Sequence, residues 1–139
     1  AIDSCSKTVV TTCSGKAMSA GALLLSAGKK RYIGKYSTVM LHEVQGGTYG
    51  STAQVQGDTE EQVRLQSLYF EILAKNCKKK PQIFKALLKE KLGSDVYLTP
   101  KQAKDLGLVD KIGTPKVTRK TLWQIELEET SKDNTNDDN

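Results

Sequence analysis

Apolar and polar positions fall into two alternating periods along the first 116 residues. Lys7–Cys13 (KTVVTTC) is short and β-branched, which predicts a buried strand, and Ser14-Gly15 ends it as a turn. Residues 19–28 change to small and apolar types, predicting a helix closed by Gly28 and the lysines after it. Arg31–Ile33 and Thr38–His42 (TVMLH) read as two further strands. A Gly-punctuated stretch, EVQGGTYG, follows as extended chain. From 52 to 77 the period becomes helical: Leu65, Leu68, Tyr69, Ile72 and Leu73 fall on one face. Pro81 opens another helix, to about 92, with Phe84, Leu87, Leu88 and Leu92 on its apolar side. In YLTPKQAKDLGLVDKI a strand ends, Thr99 caps a short helix with Pro100 at its first position, Gly107 closes it and a strand follows. Val117, Trp123, Ile125 and Leu127 alternate, predicting an extra strand over 117–127. Strands and helices that alternate with short crossovers predict an α/β layered fold, and 139 residues suffice for one domain.

Charge divides the chain. Residues 126–139 hold six Asp/Glu and one Lys, for a net −5, while the rest holds 20 Lys/Arg against 10 Asp/Glu, for +10. With no apolar side chain to bury, residues 128–139 are expected to form a disordered acidic tail. The basic runs Lys29–Arg31 and Lys78–Lys80 raise the question of nucleic acid. They lack interleaved aromatic residues, so they read as solvated charges at helix ends and predict no nucleic-acid partner. Cys5, Cys13 and Cys77 form no CxxC pair, and with one histidine in the chain a metal site is not expected. An odd number of thiols predicts a reducing compartment. No apolar run approaches the ~18 residues that span a bilayer, and no signal-peptide pattern opens the chain. A soluble, cytoplasmic protein without a membrane partner is the resulting expectation.

The candidate chemistry begins at Ser19. A serine at a helix start, after a strand and a Gly turn, sits where backbone N–H groups point outward and can hold an oxyanion. Its neighbours Ala17, Ala20 and Gly21 are small enough for close approach of a substrate backbone. An N-cap serine would account for the same position. A nucleophilic serine needs a base, and His42, the single histidine, ends the second clear strand. In open α/β sheets sites gather at the carboxyl ends of strands, so the two side chains can meet. A structural histidine is the alternative. A carboxylate to orient the imidazole could come from Asp95, Asp105 or Asp110, and composition does not choose among them.

Three segments in order, GKAMSAGALLLSAG, VMLHEVQGG and DVYLTPKQAKDLGLVD, resemble the ClpP family of self-compartmentalised serine peptidases. The resemblance runs over about residues 1–114 and implies a ClpP/crotonase-like layered α/β fold of repeated β-β-α units. It implies a peptidase domain over 1–116 and a Ser-His-Asp endopeptidase with no cofactor. By that resemblance Ser19 is the nucleophile, His42 the base, Asp95 the third member and the Ala20 N–H an oxyanion donor, which leaves Asp110 structural. Glu43, Val44, Gln45, Gly46 and Gly47 would form the strand on which a peptide or unfolded protein pairs by backbone hydrogen bonds. The helix at 52–77 would stack two homo-oligomeric rings, and an AAA+ unfoldase would be the implied partner. The long C-terminal extension and the Glu after His42 are similar to phage-encoded members that act in head maturation.

Two departures qualify these expectations. Gln45 stands where the family usually places an apolar residue, which questions an apolar pocket for the residue before the cut. The family's Gly-Gly oxyanion loop lies farther upstream than the 18 residues before Ser19, so the domain reads as its C-terminal portion, without the N-terminal units. Two rival readings follow. One is a catalytically impaired fragment or assembly subunit. The other is a Ser-Lys dyad peptidase using Lys16 or Lys35, in which the base would titrate well above the ~6.5 of an imidazole.

Overall fold

A computed structural model of the chain describes residues 2–90 and 95–118. The elements run β1 (Val10–Cys13), β2 (Lys16–Met18), α1 (Ala20–Ser26), β3 (Lys30–Ile33), β4 (Thr38–Leu41), α2 (Thr52–Cys77), α3 (Pro81–Lys89), β5 (Val96–Leu98), α4 (Pro100–Asp105) and β6 (Lys111–Ile112). The predicted α/β alternation holds. Strands form two three-stranded sheets, ordered β1-β3-β6 and β2-β4-β5. All pairings are parallel except β4 with β5, where Leu41 lies opposite Val96 and Val39 opposite Leu98.

Several local expectations are met for the physical reasons that suggested them. Thr99 caps α4, its hydroxyl accepting from the Gln102 N–H while the Gln102 side chain accepts from the Thr99 N–H. Gly107, at φ +86°, ends the turn after α4, and a Cβ there would sit 2.8 Å from the Cys77 carbonyl oxygen. At the end of α1 the predicted glycine serves a different need. Gly28 has no positive φ, but a Cβ would lie 2.4 Å from Thr11 Oγ1, so the absent side chain lets the helix end close onto β1. Thr11 Oγ1 in turn donates to the Leu25 carbonyl at 2.7 Å.

Other expectations are corrected. The first strand is four residues rather than seven, and of these only Cys13 is buried. Sequence patterning missed β2, whose three residues are too few to show a period. The apolar face of α2 is buried from Phe70 onward, yet Leu65 and Leu68, on the same predicted face, are exposed, as are Val55 and Val63. The core gathers where that buried half of α2 meets α1, α3 and the strands, around Leu25, Ile33, Leu41, Leu73, Phe84 and Leu108. Residues 117 and 118 are not in a strand. The remainder of the predicted 117–127 strand, the 128–139 tail and the end of the helix predicted to 92 lie outside the described residues.

Arg31 is the largest correction to the charge reading. It belongs to a run read as solvated, but its side chain is 13% exposed and pairs with Asp110 at 2.6 Å. Its Nη1 donates to the carbonyls of Asn76 at 2.9 Å and Gly107 at 2.8 Å. The Arg31 backbone N–H and Nε both donate to Asp110 Oδ2. One guanidinium therefore ties β3 to the ends of α2 and α4. Arg31→Met keeps the length and removes every side-chain donor, leaving the Asn76 and Gly107 carbonyls without that partner. Urea denaturation of that variant should show a loss of at least about 1.5–3 kcal/mol. A change below about 0.5 kcal/mol would mean that the clamp contributes nothing to folding.

Candidate active site

Strand β2 passes into α1 through a single residue, Ser19, at φ +52° and ψ −120°. That left-handed backbone is costly for a residue with a Cβ and persists only where the surroundings hold it. Here the Ser19 N–H donates to the Met40 carbonyl at 3.0 Å, and the Ser19 carbonyl accepts from Ala22 and Leu23 in the first turn of α1. A sharp strand-to-helix turn of this kind lifts a side chain clear of the helix. Ser19 does occupy the N-cap position of α1, but its side chain makes no cap hydrogen bond.

His42 follows the end of β4, which lies beside β2 with Met18 opposite Met40. Ser19 and His42 line one cavity of about 230 Å³ with Ala20, Leu23, Glu43, Val44, Gln45 and Tyr69. Among the described residues no hydrogen bond joins the Ser19 hydroxyl to the imidazole. His42 Nδ1 lies 2.5 Å from the Glu43 carbonyl oxygen. A carbonyl only accepts, so the proton of a neutral imidazole belongs on Nδ1, which leaves Nε2 with a free lone pair.

The candidate carboxylates separate. Asp110 is held by Arg31, whose hydrogen bonds keep its carboxyl below the usual carboxylate range. Asp105 is exposed on α4. Asp95 precedes β5 and His42 follows β4, and the antiparallel ladder between these strands ends with Leu41 opposite Val96, so both residues lie just beyond the same end of it. The Asp95 carboxylate accepts from the Tyr97 hydroxyl at 3.4 Å and makes no described bond to the imidazole. Neither dyad lysine borders the cavity of Ser19. Lys16 lines a separate hollow with Thr11 and Gly21, and Lys35 lies over the Tyr36 ring at 4.7 Å.

The segment after His42 divides. Glu43, Val44 and Gln45 border the cavity, whereas Gly46 and Gly47 do not. Ala20, Leu23 and Val44 give the cavity apolar walls, and Gln45 joins Glu43 and Tyr69 as a polar side chain on its border. Two residues that the sequence did not place at the site also belong to this neighbourhood. Tyr69 lines the cavity, and burial pushes its phenol up to about 12, so it stays protonated in ordinary buffers. Gln66, one turn earlier on α2, accepts from the Val44 N–H. Each reads in sequence as one more helix-face residue; only the fold places it against 43–45.

A family model described as Clp protease matches residues 1–116. The chain belongs to the Clp protease family. Membership makes it a ClpP-like peptidase, and the α/β layering described above agrees with that family's architecture. The match covers every described element, from β1 to β6, and so includes Ser19, His42 and Asp95.

Proposed function

We propose that the chain is a serine endopeptidase in which Ser19, His42 and Asp95 act as nucleophile, base and orienting carboxylate. The observation that carries this reading is Ser19, turned out of a strand-to-helix corner at φ +52° into the same cavity as the chain's single histidine. Ser19 Oγ bonds to the substrate carbonyl carbon as its proton passes to His42 Nε2. The C–N bond then breaks, and the departing nitrogen takes that proton. Water, deprotonated by the same imidazole, releases the acyl group and restores the hydroxyl. The Ala20 N–H, in the first turn of α1, donates to the oxyanion. Asp95, just before β5, stabilises the imidazolium. The scheme uses no metal or small cofactor.

Residues 43–47 receive an extended peptide by backbone pairing, which makes cleavage broad in sequence preference. The exposed apolar residues of α2, Val55, Val63, Leu65 and Leu68, support its use as the surface by which copies assemble into rings and rings stack. Unfolded protein, delivered by an AAA+ unfoldase in the cytoplasm, is the substrate this assembly suits. A second reading, an idle assembly subunit, draws on the imidazole being bonded to Glu43 rather than to Asp95 or Ser19.

Labelling with a fluorophosphonate, followed by mass spectrometry of the modified peptide, separates the two. The expected adduct is on Ser19 and is lost in Ser19→Ala. An unlabelled chain, or an adduct on another serine, overturns the serine-peptidase reading.

A further inference from the structure

Residues 43–50 join no strand, although backbone groups without a partner are costly wherever water is excluded. None of residues 43–49 has a positive φ, as an extended run requires. Among the described residues, a single hydrogen bond ties the backbone of 44–49 to another element, from the Val44 N–H to Gln66 Oε1 on α2. One turn earlier on the same helix face, Gln62 supports the contact: a Cβ on Gly46 would lie 2.7 Å from Gln62 Nε2. Gln62, Gln66 and Val44 line a second cavity of about 310 Å³, distinct from that of Ser19 and His42. Glu43 and Val44 line both cavities, so this part of the segment lies between the Gln62–Gln66 face of α2 and the candidate catalytic cavity.

We infer that Gln66 is a positioning residue for the peptide-binding edge, an inference that rests on the serine-peptidase reading. In extended chain the N–H and C=O groups of successive residues point alternately to the two sides. Gln66 fixes the Val44 N–H toward α2. The groups of Glu43 and Gln45 then face the catalytic cavity. The contact of the Glu43 carbonyl with His42 Nδ1 agrees with that phase. Gln66 stands in for a neighbouring strand on the inner edge of the segment, and the outer edge stays open for substrate. Without it the segment can rotate, and a bound peptide loses its register relative to Ser19. Gln66 touches neither substrate nor the reacting atoms; its effect passes through Val44.

The test compares Gln66→Met, which keeps the length and removes the acceptor, with Gln66→Glu, which keeps a carboxylate acceptor. For a fluorogenic peptide, Gln66→Met should raise KM about tenfold with little change in kcat. Fluorophosphonate labelling of Ser19 needs no strand pairing and should stay within about twofold of wild type. Gln66→Glu should bring KM back to within about threefold. A KM unmoved in Gln66→Met, labelling that falls in step with peptide cleavage, or Gln66→Glu behaving as Gln66→Met each overturns the inference. Amide exchange on the unmodified chain adds a check that needs no variant. The Val44 N–H should exchange more slowly than the Gln45 N–H, and equal rates overturn the clamp. Wild-type protein that neither labels nor cleaves overturns the serine-peptidase reading and this inference with it; labelling with an unmoved KM overturns this inference alone.

Discussion

Replacing His42 with alanine should lower peptide hydrolysis by roughly 10⁴-fold or more while leaving the fold intact. The expectation has two parts. First, no other imidazole exists in the chain to take over, since His42 is its single histidine. Second, the Glu43 carbonyl holds the Nδ1 proton and leaves Nε2 as the basic nitrogen, on a residue that borders the Ser19 cavity. The side chain sits just past the end of β4 and is only half-buried, so its loss removes little packing. Melting temperature should therefore stay close to wild type. Steady-state hydrolysis of a fluorogenic peptide, measured beside thermal unfolding, makes the comparison. Activity retained within about threefold would remove His42 from the reaction and return the lysine-dyad reading to consideration. Such a return would meet a geometric difficulty, since Lys16 and Lys35 border other cavities than that of Ser19.

How much of this was legible in the sequence depended on the range over which each feature is determined. The caps of α4 are local: Thr99, Pro100, Gln102 and Gly107 specify them within nine residues, and they were readable. Ser19 stood out because small residues surround it. Its backbone angle could not be read, because the N–H that holds it bonds to Met40, a residue of another strand. Arg31 looked like one of three solvated cations because its partner, Asp110, is 79 positions away. The apolar face of α2 was legible from Leu65 to Leu73 but its half-exposure was not, since periodicity reports which residues share a side and not what covers it. Gln66 left no signal at all: a polar residue on a mostly exposed helix acquires meaning only when Val44 is brought against it.

The proposed scheme gives Asp95 a part in the chemistry, whereas Asp110 is bound to Arg31. On that scheme Asp95→Asn should reduce turnover by about 10³–10⁴-fold at unchanged melting temperature, because the amide keeps the shape but carries no charge to stabilise an imidazolium. Asp110→Asn should do the reverse. It breaks the pair with Arg31, in which Asp110 Oδ1 is 2.6 Å from the guanidinium, but it lies outside the Ser19 cavity. With the Asp110 side chain 42% exposed, water screens much of that attraction, so the stability lost should be on the order of 1 kcal/mol. Activity per folded molecule should be retained. The pH dependence adds an independent reading. Asp110 is held below its ordinary value of 3.8 in the folded chain, so its contribution is present above that value and is lost as the pH falls through the folded one. Wild-type stability should therefore fall more steeply than that of Asp110→Asn on acidification below about pH 4. If Asp110→Asn abolishes turnover in a folded protein while Asp95→Asn does not, the carboxylate assigned to the imidazole is the wrong one.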